Sequence, residues 1–378
     1  MTGTRRLVVL AAGGTGGHVF PADALAQELG RRGYDLALVT DRRGGAYGGA
    51  LGALDTYRIR AGGIAGKNLA ARVISALELV IGTWQARGLL RRLMPGAVVG
   101  FGGYASVPTM LAARFGGFQT VLHEQNAVLG RANRFLAGKV GRIATCFADV
   151  IGVPAEASAR VVQTGMPVRQ SVRELRDRPF PRIDDNQARL IVIGGSQGAR
   201  VLSDVVPEAV ARVSADLRAR LRIVQQCRPE DLERVEARYR ELGVAVELSH
   251  FFDDVPERLA EAHLVIGRCG ASTVAELTAI GRPAVLIPYP HAIDDHQAKN
   301  AHAMDEAGAG WLIPEKAFTP DTLASRLEGL FGLPATLEKA AACSKAAGHP
   351  DAVERLADLV EAILPSNGAN GDEGRVAA

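Results

Sequence analysis

Cysteine is scarce and scattered in this chain. The four among 378 residues, Cys146, Cys227, Cys269 and Cys343, form no CxxC pair and join no cysteine–histidine cluster. That argues against a disulfide framework or a zinc site and fits a reducing cytoplasm. Long apolar runs are missing too: no segment reaches the roughly 20 uncharged apolar residues of a membrane span. The opening MTGTRRLVVLAAGG imitates a signal peptide, but its apolar run is short and glycines follow at once, so it reads as a first strand. Aromatic residues make up 5% of the chain. They are not interleaved with the basic residues, so nucleic acid is not an expected partner.

Glycine, by contrast, is plentiful, with 43 residues, many in short runs between periodic segments. The most informative run is AAGGTGGHVFPADALAQEL, residues 11–29, which follows the apolar LVVLA. A glycine turn between strand and helix lets backbone N–H groups close on an anion. His18 at that joint is a side chain suited to moving a proton near neutral pH. Together they point to group transfer involving a phosphorylated substrate. A dinucleotide site is the rival reading, with Asp41 after the second strand as the ribose acid. However, GGTGGHV has neither the GxGxxG nor the GxxxxGK[ST] spacing.

The length predicts two domains. Strands are expected at Leu7–Ala11, Asp35–Thr40, Ala97–Gly100, Thr120–His123 and Arg142–Cys146, with a first helix from near Pro21 to before Gly33. The pattern then restarts with ARLIVIGGSQGARVLSDVV, LRIVQQ, AHLVIGRCGASTVAEL and RPAVLIPYP. Such alternation predicts an α/β fold of two Rossmann-like domains, with parallel sheets facing across a cleft. The boundaries read as 1–163 and 164–345, joined through RELRDRPFPRIDDNQA as a linker. A C-terminal helix within 346–365, about Asp351–Leu364, is expected to pack back on the first domain. The tail 366–378 is expected to be disordered. Charge divides along the same line. Residues 1–163 carry 19 Lys and Arg against 9 Asp and Glu, a balance of +10, and the remainder carries 25 against 32, a balance of −7. A basic first half suits an anionic surface.

Several loops carry candidate chemistry. FGGYASVP offers Tyr104 and Ser106. HEQNAVLGRANR gathers His123, Glu124, Gln125 and Asn126 at the carboxyl end of a strand, where ligands of α/β folds bind. GGSQGAR repeats the phosphate-holding logic with Ser196. GRCGASTVAEL places Ser272 and Thr273 as helix caps, with Glu276 one turn on as a ribose acceptor. PYPHAIDDHQAKNA supplies His296, Gln297 and Asn300 for sugar hydroxyls, and its DDH has no second ligand cluster to make a metal site. The stretch 69–93 holds Leu69, Val73, Ile74, Leu77, Val80, Ile81 and Trp84, flanked by Arg72, Arg87, Arg91 and Arg92. It is either a core helix with a basic outer face or an interfacial patch on an anionic membrane.

In order, GGTGGHVFP, GFGGYAS, HEQN, GGSQGA, GASTVAE and DHQAKNA closely resemble the motifs of the MurG family. The resemblance implies the GT-B fold and transfer of N-acetylglucosamine from UDP-GlcNAc to undecaprenyl-pyrophosphoryl-MurNAc-pentapeptide, lipid I. It implies no cofactor and no metal. It implies a peripheral protein on the cytoplasmic face of the bacterial inner membrane, with cell-wall and division proteins as partners. It also implies roles by motif. Thr15, Gly16, Gly17, Asn126 and Arg169 become donor contacts, and Ser196 a diphosphate contact. The run Ala271, Ser272, Thr273, Val274, Ala275 and Glu276 forms the nucleotide site, Phe252 offers a backbone contact to uracil, and Gln297 a sugar contact. His18 is the first choice of general base and Glu124 the second. Two departures stand out: Met166 where the family commonly has asparagine, which puts Arg169's role in doubt, and Cys269 where serine is frequent. Rival activities are another UDP-sugar enzyme of this fold, such as an epimerase or a transferase with a different lipid, and a non-catalytic sugar-nucleotide binder.

Overall fold

The computed structural model describes residues 7–13, 16–41, 48–62, 69–183, 187–195 and 197–365. The chain divides into two compact units, one of residues 1–124, 129–167 and 351–378, the other of 125–128 and 168–350.

The first unit is built on β1 (Leu7–Ala11), β2 (Asp35–Asp41), β3 (Asp55–Ile59), β4 (Ala97–Gly100), β5 (Gln119–Glu124), β6 (Arg142–Thr145) and β7 (Val161–Gln163). They form one parallel sheet in the order 3-2-1-4-5-6-7. Its helices include α1 (Gly16–Arg31), α2 (Leu69–Leu93), α3 (Gly103–Phe115) and α4 (Arg131–Ala137). The second unit has β8 (Ala188–Ile193), β9 (Leu221–Gln226), β10 (Ala245–Ser249), β11 (Leu264–Gly267), β12 (Ala284–Leu286) and β13 (Gly310–Leu312). These run parallel in the order 10-9-8-11-12-13. Its helices include α5 (Ala271–Ile280) and α6 (His296–Glu306), and α7 (Ala352–Ala362) belongs to the first unit.

Sequence reasoning found the interior strands and missed β3, β7, β10 and β13. Those four are the outer strands of the two sheets. Interior strands of a parallel sheet are buried on both faces and read as continuous apolar runs, as LVVLA and LVIG do. An edge strand such as DTYRI or AVELS is half exposed and carries no such run. The first helix begins at Gly16, five residues before Pro21, which lies inside it. Near a helix start a proline removes only one interior hydrogen bond, that to the carbonyl of Gly17.

The units part at 167/168 rather than 163/164. Past β7 the chain stays on the first sheet, with the N–H groups of Thr164 and Gly165 donating to the Thr145 carbonyl. Met166 packs against Cys146, sulfur to sulfur at 3.5 Å. The stretch read as a linker is no free spacer. Arg176 donates to the carbonyls of Ala279 and Lys345 at 2.9 Å, and Phe180 packs on the second core. Residues 346–350 stay with that unit too. In α7, Leu356, Ala357 and Val360 are buried in the core that holds Leu25 and Leu29 of α1. Arg32 closes that contact, pairing with Asp358 and Glu361 at 2.7 Å each.

Candidate functional site

In the first unit the loops at the carboxyl ends of β1, β4 and β5 converge. Gly14 and Thr15 lie outside the described residues, and α1 starts directly after them at Gly16 and Gly17. His18 is half-buried on its first turn. Its ring lies against Gly102 and Gly103, both left-handed with φ of +85° and +69°. A Cβ at Gly103 would stand 3.3 Å from His18 Cδ2, so these glycines serve both the turn and the histidine's seat.

The polar residues that end β5 turn inward. His123 is fully buried, its ring 5.5 Å from Phe101 and its Nε2 3.6 Å from Cys146 Sγ. Burial pushes its pKa down to about 3, His18 adding to the effect and a backbone bond with Gly165 opposing it. It is therefore neutral throughout the physiological range. Glu124 is buried and its Oε2 accepts from the Gly130 N–H at 2.9 Å and Asn133 Nδ2 at 2.8 Å. This carboxylate ties the end of β5 to the start of α4, a geometry of bracing rather than of base catalysis. Ser106 is likewise buried and donates to the Gly103 carbonyl at 3.0 Å, while Tyr104 stays partly exposed. Asp41 is buried at the end of β2, unlike an acid that must reach a ribose.

In the second unit, three motifs distant in sequence are joined by hydrogen bonds. Asn300 is buried at their centre: its Oδ1 accepts from the Ala127 N–H at 2.8 Å, and its Nδ2 donates to Asn126 Oδ1 at 3.1 Å and to the Cys269 carbonyl at 3.0 Å. Both N–H donors of its amide are committed to these loops, so it ties the three motifs together. Gln297 Oε1 accepts from the N–H groups of Cys269 (3.3 Å) and Tyr289 (3.0 Å), which orients its NH2 as a donor. His296 Nδ1 lies 2.8 Å from the Ile293 carbonyl. Cys269 is buried, which pushes its thiol pKa up, and it works here through its backbone.

Helix α5 starts one residue after Cys269–Gly270. Its cap is Gly270, without a side-chain bond, and Ser272 and Thr273 lie inside the first turn rather than capping it. The first hydrogen bond back into the turn is Val274 N–H to the Gly270 carbonyl. The N–H groups of Ala271, Ser272 and Thr273 therefore point out of the helix end, a ready anion site. Glu276, 14% exposed, meets Arg169 at 3.0 Å. Burial raises the Glu276 pKa above the ordinary glutamate value, and the Arg169 charge and hydrogen bond offset part of that rise. Met166 does not enter this pair, because its side chain packs on Cys146 in the other unit. Phe252 is buried with the Arg258 guanidinium 4.4 Å above its ring, which pins the loop after β10. Ser196 lies outside the described residues. Gln226, at the end of β9, escaped the sequence reading, although the paired polar residues closing LRIVQQ were a signal.

On α2, Ala86, Leu89 and Leu90 enter the core. Val73, Ile74, Leu77, Val80 (66%) and Trp84 (77%) face solvent instead, with Arg91 and Arg92 exposed one to two turns on. The side chains of Leu69 and Arg72 are outside the described residues. No helix among the described residues is long and apolar enough to cross a membrane. Among them, no three His, Cys, Asp or Glu side chains gather as metal ligands.

The profile of the glycosyltransferase family 28 N-terminal domain matches residues 8–145, and that of the family 28 C-terminal domain matches residues 189–356. A protein of Paramagnetospirillum magneticum named "UDP-N-acetylglucosamine--N-acetylmuramyl-(pentapeptide) pyrophosphoryl-undecaprenol N-acetylglucosamine transferase" is 57% identical over 97% of this chain and 99% of its own. A Rhodospirillum rubrum protein of the same name is 58% identical over 94% of this chain and 91% of its own. The crystal structure of Acinetobacter baumannii MurG superimposes with a TM-score of 0.76 at 28% identity, covering 94% and 99% of the two chains. A UDP-GlcNAc 2-epimerase from Neisseria meningitidis shares the fold, with a TM-score of 0.65 at 13% identity over 94% and 100%.

Proposed function

Because the chain belongs to glycosyltransferase family 28, with that family's N- and C-terminal domains in order, we propose that it works as follows. It is an N-acetylglucosaminyltransferase of the MurG group with the GT-B fold, acting on UDP-GlcNAc and the lipid-linked MurNAc-pentapeptide. A hydroxyl of the MurNAc acceptor attacks the anomeric carbon of the donor sugar. The new C–O bond forms as the bond to the UDP oxygen breaks, with inversion at that carbon. His18 takes the hydroxyl proton, and UDP leaves with the bonding electron pair.

The second unit holds the donor. Glu276 accepts from the ribose hydroxyls, and Arg169 favours its ionised form. The N–H groups of Ala271, Ser272 and Thr273, which precede the first bond within the helix, stabilise the charge that grows on the leaving diphosphate. Gln297 donates its NH2 to the sugar, Asn126 borders the same cluster, and the backbone at Phe252 meets uracil. Thr15, Gly16, Gly17 and Ser196 remain donor contacts by motif alone. Glu124 moves from candidate base to positioning residue. The observation carrying this reading is the Glu276–Arg169 pair one turn from an open helix N-terminus.

The protein attaches peripherally to the cytoplasmic face of the inner membrane through α2. Its outward Val73, Ile74, Leu77, Val80 and Trp84, followed by arginines, match an interface between acyl chains and anionic headgroups. The decisive experiment is turnover of UDP-GlcNAc with a short-chain muramyl pyrophosphoryl lipid. UDP release matched by disaccharide-lipid formation is expected. UDP release that ignores the acceptor, or epimerised donor, would replace the transferase with the epimerase reading.

A further inference from the structure

The order of the second sheet places β9 between β8 and β10. After β8 come Gly194 and Gly195, with Gly198 N–H donating to the Gly195 carbonyl, and the loop after β10 runs through His250 to Phe252. In register, Gln225 pairs with Val192 on one side and Gln226 with Ser249 on the other. The last side chain of β9 therefore stands between two loops that approach from opposite strands. Gln226 is buried there, and its carboxamide spans the gap. Its Oε1 accepts the Gly194 N–H at 3.1 Å, and its Nε2 donates to the His250 carbonyl at 3.2 Å.

A carboxamide offers one acceptor and one pair of donors on a single rigid plane, which is what an N–H on one side and a C=O on the other require. The glycine turn leaves little slack for an alternative. A Cβ at Gly194 would stand 2.4 Å from the Ala199 nitrogen, so this backbone folds tightly before the next helix. The His250 loop is equally constrained, with Phe252 clamped under Arg258. Gln226 thus bonds two tightly folded loops to one another.

We infer that Gln226 is a positioning residue that makes the diphosphate turn and the base-contacting loop one mechanical unit, so that recognition of uracil sets the geometry offered to the diphosphate. This rests on the donor placement proposed above. The coupling predicts that base discrimination and diphosphate affinity move together when this side chain changes.

Binding of UDP and CDP, measured by calorimetry on wild type and two variants, tests it. Gln226→Glu keeps an acceptor for the Gly194 N–H but sets a carboxylate against the His250 carbonyl. Its preference for UDP over CDP is expected to fall about tenfold, equivalent to ~1.4 kcal/mol. Gln226→Leu loses both bonds, and both UDP affinity and the preference are expected to fall by about tenfold or more. Equal weakening of UDP and CDP, the mark of a merely structural role, would overturn the coupling. Should the leucine variant not fold, hydrogen exchange on wild type decides. Uridine, which has no phosphate, must slow exchange around Gly194 as well as around 249–254, and protection confined to 249–254 overturns the inference. Wild type that binds no uridine nucleotide would overturn the donor assignment and the coupling with it. Wild type that binds UDP, with base preference intact in both variants, would overturn the coupling alone.

Discussion

The two units share a parallel sheet, a glycine turn after the first strand and polar residues at strand ends, yet they use those residues in opposite ways. In the first unit His123, Glu124 and Ser106 are buried and engaged in internal hydrogen bonds, while His18 and Tyr104 are half-buried at the loop cluster. In the second unit, Asn300 ties the loops together, Gln297 accepts two backbone N–H groups, and Glu276 pairs with Arg169 one turn from the start of α5. The first unit also exposes an apolar helix face. A repeated fold therefore says where ligands go but not which unit binds and which braces. What differs between the two units is the pairing of each polar side chain.

The sharpest break in this contrast is His18→Ala. Loss of a general base is expected to lower kcat by roughly 10²- to 10⁴-fold, while UDP affinity measured by calorimetry stays near wild type. An unchanged chemical step at saturating substrates would remove His18 from that role.

Next comes the apolar face of α2. Converting Arg87, Arg91 and Arg92 to glutamate should weaken binding to anionic vesicles on the order of 100-fold, at about 1 kcal/mol for each basic residue. Co-sedimentation with vesicles containing anionic lipid reads this out. UDP-GlcNAc binding persists if the two units divide the work as described.

In the second unit, Glu276→Gln should weaken UDP by roughly 10- to 100-fold, the scale of a hydrogen bond to a charged group. The carboxylate is the binding form and its pKa is raised, so UDP affinity should fall with decreasing pH above the ordinary glutamate range. Arg169→Ala removes the group that lowers that pKa and should move the limb to still higher pH. A limb that stays in place would detach Arg169 from Glu276.

The smallest effect tests the first unit's internal bracing. Arg32→Ala should cost about 1–2 kcal/mol at pH 7, because it releases α7 from α1. Glu28 is held down to about 2 by a hydrogen bond from Arg31 and, behind it, Arg32. Its folded pKa is depressed, so this stability is present above the ordinary carboxylate value and is lost as pH falls toward 2. The gap between variant and wild type should narrow across that window in thermal melts.

Much of the fold was legible because interior parallel strands must be apolar on both faces and glycine turns must punctuate them. LVVLA, LVIG and the turns at 13–17 and 194–198 announced themselves in that way. The edge strands were not legible, since half their residues face solvent. The site was legible as motifs, from GASTVAE to DHQAKNA, but the work of individual side chains was not. Glu124 and Glu276 look alike in sequence. One accepts hydrogen bonds from Gly130 and Asn133, and the other from Arg169, 107 positions away.

By itself, then, the order of residues determined two Rossmann-like halves, their glycine turns, the family they belong to and the basic bias of the first half. Tertiary structure alone decided that Asn300 ties three motifs, that Gln297 accepts two backbone N–H groups, that Glu124 pairs with Gly130 and Asn133 but Glu276 with Arg169, and that the apolar residues of α2 point outward. The physical reason is that strand and turn signals are local, whereas a polar side chain acquires its role from whichever donor or acceptor the folded chain brings within about 3 Å.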